Sequence, residues 1–488
     1  MASGKNKAPM RVVIIGGSVT GLTLAHCLDK AGIDYVVLEK QQDILPVLGG
    51  SIALQPSGCR ILDQLGVFDR LEKYRNDLES FDMSLPGFQF RATAPGLFPE
   101  GMGYPVTAVK RRELLDTLYM SLEDRSKVKV GARVMSISRG SNPHGPLTVT
   151  TKSGAQYTGA VVVGADGTHG ITRTEMWRMM ASAPGLGTTL EDDQRSMSVS
   201  YYAIVGITKP LKQLMQTLRP GRMYTRSYPH HYWMVIPNSD STVSWFAIIH
   251  SSKTFVHPHV PRWSQEEVAS KLEELGDYEI REQVVFRDLW QNTPTISSTE
   301  CQEGLLSIWS FGRIACIGDT VFKLTPNLGI GANLCIESAA ALANTLQQLN
   351  TNALDAEQTE ANVCTALAEY SGTLQARIRK ICSFSYRISR SHSLETFTGW
   401  LMLRYVSGYL PTQVAYPLNV SIMEGAVTLA YVPRPLRDRR AAAKRARTLR
   451  NARMAMLISR RILLGVLALG VSLLIRRMLQ THMIAQRQ

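Results

Sequence analysis

The chain lacks any cysteine pair at metal-ligand spacing. Its seven cysteines, Cys27, Cys59, Cys301, Cys316, Cys335, Cys364 and Cys382, are scattered and odd in number, which excludes a zinc-ribbon pattern and a fully paired disulfide framework. They read as reduced thiols in a cytosolic body, and no metal site is expected. The first ten residues, MASGKNKAPM, have no apolar core, so no secretory signal is expected there. Internal repeats are absent, which excludes a solenoid or propeller. Excess charge is missing from most of the chain. The formal charge is +14, yet residues 434–488 hold fourteen Lys and Arg against one acid, Asp438, leaving the first 433 residues at +1. A neutral body with a basic tail argues against nucleic acid as the partner and for an anionic membrane surface.

Long apolar runs are also scarce. The longest, ILLGVLALGVSLLI at 462–475, is 14 residues and is clamped between Arg460-Arg461 and Arg476-Arg477, whereas a spanning helix needs about 20. Snorkelling arginines or the preceding MAMLIS could lengthen it. The run is read as a tail anchor, with an interfacial helix and a buried core helix as alternatives. Eleven cations before it against three after it place the body on the cytoplasmic side, an endoplasmic reticulum face being the expected location.

What is present is a packed globular body, 44% hydrophobic. RVVII at 11–15 suits a buried parallel strand. Leu24, Leu28 and Ala31 then recur at helical spacing, Gly32 supplies a stop, and DYVVLEK reads as a second strand. Later, AVVVGADG and RIACIGD read as further buried strands, and GANLCIESAAALANTLQQL as a helix of small residues. Between them MSVSYYAIVGI, YWMVIPN and STVSWFAIIH alternate as an antiparallel sheet does, the last two forming a hairpin around Asn238 and Asp240. Ser264 with Glu267 forms a capping box. The expected fold class is α/β: a Rossmann-like nucleotide domain from 10–175 and 300–350, an inserted antiparallel substrate domain at 176–299, a helical region at 351–433, and the basic tail at 434–488 with its membrane segment.

Within VVIIGGSVTG, Gly16 allows a tight turn and Gly21 close packing of helix on strand, while Ser18 stands where the middle glycine would let the backbone approach a pyrophosphate. Serine is small, and its hydroxyl can donate to a phosphate oxygen. Glu39, at the end of the second strand, suits ribose hydroxyls and disfavours a 2′-phosphate. A glycine-rich turn alone could be purely structural. Two further acids at strand ends, Asp166 in GADG and Asp319 in CIGD, the latter ahead of the glycine-rich entry to a helix, raise the case for a dinucleotide.

The order GGSxxG, Glu39, RRELL, GADG and GD resembles the group A flavoprotein monooxygenases of the para-hydroxybenzoate hydroxylase type. The opening VVIIGGSVTGLTLAHCLDKAGIDYVVLEK, with GGSIALQPSGCRILDQLGVFD, is similar to the paxilline-type FAD-dependent monooxygenases of fungal meroterpenoid and indole-diterpene pathways, over roughly residues 10–390. The resemblance implies FAD as cofactor. Glu39 would hold the adenosine ribose, Ala53 would meet the cofactor by its backbone, and Arg111, with Arg112 as a substitute, would reach the pyrophosphate. Asp319 would bind the ribityl chain, Ala332 would sit by the flavin ring and Asp166 would act indirectly. Lys323 in GDTVFK departs from the histidine or arginine that many relatives carry after GDA.

The resemblance further implies that NADPH reduces the flavin, that O2 is the oxidant and that one oxygen atom reaches an electron-rich carbon. No second GxGxxG follows the first, so NADPH would bind transiently. The implied substrate is a hydrophobic prenylated polycycle and the product an epoxide, which a membrane terpene cyclase would open. Tyr224 is the candidate catalytic residue, a packed sheet tyrosine being the alternative; His230 and His231 read as a loop feature. The competing functions are an aromatic hydroxylase or flavin halogenase and, from another class, a membrane-surface binding protein with a vestigial nucleotide fold.

Overall fold

The computed structural model describes residues 10–442 except 46–49, 94–102, 141, 143–144, 183–186, 258, 352–355, 408–421 and 424. Strand β1 (Arg11–Ile15), helix α1 (Val19–Ala31) and strand β2 (Asp34–Leu38) form the expected parallel unit, with Val12 opposite Tyr35 and Ile15 opposite Leu38. Each strand buries its last four residues, as strands covered on both faces must. Gly32 ends α1 in the left-handed region at φ 63°, which glycine adopts without a Cβ penalty. Strand Val161–Gly164 pairs with the other edge of β1, and Ile314–Cys316 pairs with Val161–Gly164, both in parallel. The parallel strands of one sheet thus gather their ends at residues 15, 38, 164 and 316. The helix Gly331–Thr351 packs along α1, and its alanines 339, 340, 341 and 343 are buried.

The second sheet has eight strands. In spatial order they are Phe322–Lys323, Ile296–Leu305, Met197–Ile207, Val243–Val256, His231–Pro237, Arg222–Tyr228, Ser80–Leu85 and Phe88–Thr93. The predicted hairpin is there, with Ile236 opposite Ser244. The sheet reaches outside 176–299, however: Ser80–Leu85 joins in parallel beside Arg222–Tyr228, a long-range pairing that local alternation does not reveal. One face buries Trp233, Trp245 and Val235 beneath the helices Gln265–Leu275 and Phe286–Trp290. The capping box on the first of these is complete: Ser264 N donates to Glu267 Oε2 at 2.6 Å and Glu267 N to Ser264 Oγ at 3.2 Å. The other face turns toward the nucleotide domain, where Ser244 and Ser51 hydroxyls meet at 2.7 Å.

Residues on both sides of 434 contact the nucleotide domain. Residues 422–442 run back as a strap over the nucleotide domain: Gln64 Nε2 donates to Leu429 O and Val432 O at 2.9 and 2.8 Å, and Tyr431 Oη donates to Cys27 O at 2.7 Å. Past 434, Arg437 pairs with Asp63 at 3.0 Å and Asp69 at 2.7 Å, and Asp438 meets Arg60 at 3.1 Å with both side chains almost wholly buried. The first turns of the basic tail are therefore part of the body. The apolar run 462–475 lies outside the described residues; among those described, no helix is long and apolar enough to cross a membrane.

Candidate flavin site

The glycine turn after β1 is shaped by close approach. Gly16 sits at φ 108°, and a Cβ there would lie 2.5 Å from Ala165 O; a Cβ on Gly21 would lie 1.9 Å from Gly16 O. Leu22 N makes the first intrahelical bond, to Ser18 O at 2.9 Å, so the N–H groups of Val19, Thr20 and Gly21 point out of the helix start, where an anion is favoured. The Ser18 hydroxyl donates to Ala165 O at 3.2 Å. Its one proton is spent within the protein, and Ser18 would serve a phosphate through the helix start rather than by donating from its hydroxyl. Glu39 follows β2 and accepts from Gly17 N at 2.7 Å and Gln41 N at 2.8 Å. One carboxylate oxygen is thus fixed to the turn, with lone pairs remaining for hydroxyl donors.

Asp319 stands after strand Ile314–Cys316. Its Oδ2 accepts from Lys323 Nζ at 2.5 Å and its Oδ1 from Cys335 Sγ at 3.3 Å. Burial pushes this carboxyl up, but the Lys323 ammonium, the two hydrogen bonds and the more distant Arg111 charge outweigh it and hold Asp319 below the usual carboxylate range. Burial also pushes the Cys335 thiol up, so it stays protonated and donates. Lys323 therefore acts as the counter-ion of Asp319. Arg111, exposed at the first position of the helix Arg111–Met120, is close enough to share that role while its backbone N donates to Gly50 O at 3.0 Å.

Ala53 and Ala332 are brought together by a residue that the sequence reading passed over. Asn333, fully buried, accepts from Gln55 N at 2.8 Å and donates to Ala53 O at 2.9 Å and Gly329 O at 3.0 Å. It ties strand Ser51–Leu54 to the start of helix Gly331–Thr351, whose first amides, Gly331 and Ala332 among them, precede the first intrahelical bond from Leu334 N to Ile330 O. A Cβ on Gly329, at φ 60°, would lie 2.8 Å from Ala53 Cβ. Asp166 is engaged by the helix behind its loop: its Oδ2 accepts from Thr172 N and Oγ1 at 3.0 and 2.9 Å, fixing the start of helix Ile171–Ala181, while its buried Oδ1 has no partner among the described residues. Burial pushes this carboxyl up. Gly167 N donates to Thr320 Oγ1 at 3.0 Å and Arg173 to Thr320 O at 3.1 Å, locking the GADG and GDT loops together. Asparagine at a helix start and arginine after GADG were visible signals, but their partners lie up to 280 residues away.

These positions form one connected ribbon. Glu39 touches Gly17, the turn leads to Thr20, a Cβ on Gly318 would lie 2.8 Å from Thr20 Oγ1, and Asp319 reaches Cys335, two residues beyond Asn333 and Ala53. The ribbon orders an acid that could meet sugar hydroxyls, a helix start that could face a pyrophosphate, an acid that could meet a polyol, and a second helix start beside Ala53. That is the order of adenosine ribose, pyrophosphate, ribityl chain and isoalloxazine, so the residues fit FAD.

Tyr224 is not in this site. It lies on the helix-covered face of the large sheet, 3% exposed; its hydroxyl accepts from Arg219 N at 3.0 Å and donates to Thr217 O at 3.2 Å. The face toward the nucleotide domain carries two cross-strand rows, Ala92, Phe81, Met223, Ile236, Ser244, Ile207 and Phe90, Met83, Thr225, Met234, Phe246, Val205. None of the twelve is ionisable, and a Cβ on Gly50 would lie 2.8 Å from the Phe246 ring. Ionisable groups begin two residues further along, at Tyr232, and gather four residues further along, where Tyr201 donates to Glu395 and His250 Nε2 stands 3.5 Å from Glu395 Oε2. His230 occupies a turn at φ 68° and burial lowers His231 to about 4, so the histidine pair is structural. No group of metal ligands occurs among the described residues.

Residues 9–361 match the FAD binding domain family. The FAD-dependent monooxygenase esdpE of Penicillium shearii is 37% identical over 87% of each chain, ptmM of Penicillium ochrochloron 36% identical over 84% of this chain and 96% of its own, and paxM of Penicillium paxilli 34% identical over 88% and 89%. In fold, the chain is similar to HpxO of Klebsiella pneumoniae complexed with FAD and uric acid, with a TM-score of 0.67 at 18% identity over 86% of this chain and 97% of that one. It is also similar to the tetracycline destructase Tet(51), with a TM-score of 0.60 at 15% identity over 85% and 99%. With the cradle, the acids and both helix starts in place, the chain belongs to the FAD-dependent monooxygenases.

Proposed function

We propose that this monooxygenase uses NADPH and O2 to epoxidise an alkene on the prenyl chain of a meroterpenoid or indole-diterpene intermediate, ahead of a cyclase that opens the epoxide. The observation that carries the reading is the wall opposite the flavin ribbon, two rows of side chains without an acid or base. A phenol is activated by losing its proton to a positioned base, whereas an alkene attacks an electrophilic oxygen with no prior proton transfer. The bound flavin would supply the oxygen-transfer chemistry. The chain's own part is to string the cofactor from Glu39 to Ala332, keep Asp319 ionised beside Lys323, and exclude water with Phe81, Met223, Met234 and Phe246. Residues 443–488 would tether the body through the apolar run at 462–475 and its flanking arginines, suiting a substrate held in a bilayer.

The test is substrate-stimulated NADPH oxidation by flavin-loaded protein. A farnesylated or geranylgeranylated aromatic should accelerate oxidation, and the same aromatic without its prenyl chain should not. Equal stimulation by the unprenylated phenol would favour the hydroxylase reading.

A further inference from the structure

The long helix Ala356–His392 and the short helix Phe397–Leu401 present a surface of unusual composition. From residue 371 to 394 the chain has five Lys and Arg and no acid. Two of the five are neutralised inward, Arg377 by Glu337 at 2.8 Å and Arg390 by Glu303 at 2.8 Å; Arg379, Lys380 and Arg387 are exposed. One turn past Arg387 is Ser391, and against it packs Gly399, whose Cβ, if present, would lie 3.0 Å from Ser391 Cα. That contact brings the short helix onto the end of the basic stripe. The helix and the π-helical turn after it, Met402–Ser407, expose large apolar side chains: Phe397 is 73% and Tyr405 53% exposed, with Leu401 and Met402 exposed between them. The single acid between residues 371 and 407, Glu395, is engaged by Tyr201 and lies beside His250.

We propose that the exposed apolar ridge Phe397, Leu401, Met402 and Tyr405, with the exposed cations Arg379, Lys380 and Arg387 of the preceding helix, inserts into the interface of an anionic bilayer, as a contact separate from the C-terminal tail. Isolated exposed apolar residues are ordinary, but four within nine residues, following a helix that exposes three cations, match the chemistry of an interfacial anchor. The occupant is a lipid surface because exposed positive charge complements anionic headgroups while aromatic and aliphatic side chains enter the acyl boundary. The ridge also adjoins the last strand in the order of the large sheet: the Arg404 guanidinium lies 4.7 Å from the Phe88 ring centre, and Phe88 and Phe90 are 6.0 Å apart. Phe90 belongs to the apolar row that crosses to Phe246 and Val205. The lipid contact therefore sits where that row leaves the protein, and would deliver an apolar substrate from the bilayer along the sheet. The binding claim itself does not depend on the identity of the substrate.

The full-length chain tests this with a polarity-sensitive fluorophore on Phe397→Cys, and in parallel on Tyr405→Cys should the first variant misfold. Met135→Cys, 52% exposed on the nucleotide domain, is the control. With phosphatidylserine-containing vesicles carrying brominated acyl chains, the label at 397 or 405 should shift to the blue and lose emission by quenching, the label at 135 should do neither, and Leu401→Asp should abolish the quenching. Vesicle-bound protein whose ridge label stays aqueous would leave the tail as the sole contact and overturn the proposal. A label already shifted before vesicles are added would mean that another part of the chain or a second copy covers the ridge, and would overturn it as well.

Discussion

Cutting the chain at two points nine residues apart should give two very different proteins. A chain ending at Ala442 keeps the whole strap, whereas one ending at Pro433 loses Arg437 and Asp438. Arg437 is half exposed, so its pairs with Asp63 and Asp69 contribute about 0–1 kcal/mol. Asp438 is different: it is fully buried against Arg60, whose side chain is 3% exposed, at 3.1 Å. Removing one partner of a buried pair costs about 3–5 kcal/mol, a large part of a typical stability of about 5–15 kcal/mol. At about 2 °C per kcal/mol for a large body, the shorter chain should melt roughly 6–10 °C lower. Asp438→Asn in the full chain should fall in the same direction by a smaller amount. Differential scanning calorimetry of the three proteins beside wild type decides it. Equal melting temperatures for the chains ending at 433 and 442 would refute the assignment of the strap to the body.

Asp319→Ala and Glu39→Ala should each weaken FAD retention by roughly tenfold or more, since a hydrogen bond to a charged group contributes about 1.5–3 kcal/mol; flavin absorbance after gel filtration reads this, and full flavin content in both would refute the ribbon. Tyr224→Phe should leave turnover unchanged while lowering stability by about 1 kcal/mol through its lost hydroxyl bonds; a large fall in kcat at unchanged stability would return Tyr224 to the chemistry. His392 is buried without a partner for Nδ1, and burial lowers it from 6.5 to about 4. The unfolded chain therefore binds the extra proton first as pH falls, so stability is full above about pH 6.5 and declines toward pH 4, by up to about 3 kcal/mol from this residue. His392→Phe should flatten that decline in urea titrations at several pH values, and an unchanged slope would contradict it.

The nucleotide half was legible because its signals are local. The spacing from Gly16 to Gly21 implied the closeness of α1 to β1, and each strand-end acid follows its own apolar run. The Ser264 and Glu267 box was readable for the same reason. What escaped is non-local: Asn333 gains its meaning from Ala53 and Gln55, more than 270 residues away, and the strand Ser80–Leu85 joins a sheet whose neighbouring strand begins at Arg222. Tyr224 could not be placed from alternation, which fixes that residues share a face but not which face meets the cofactor. Asp438, the lone acid in a basic stretch, looked like part of a tail, though a single acid among cations is also what a buried ion pair with Arg60 requires.

The central claim, that oxygen is transferred to a prenyl alkene across a wall without a base, is tested most directly by one turnover experiment. Flavin-loaded protein would be supplied with NADPH, isotopically labelled dioxygen and a geranylgeranylated or farnesylated aromatic, and the product fragmented by mass spectrometry. The account predicts one labelled oxygen in an epoxide on the prenyl chain with the aromatic ring unchanged. A labelled hydroxyl on the ring with every alkene intact would contradict it.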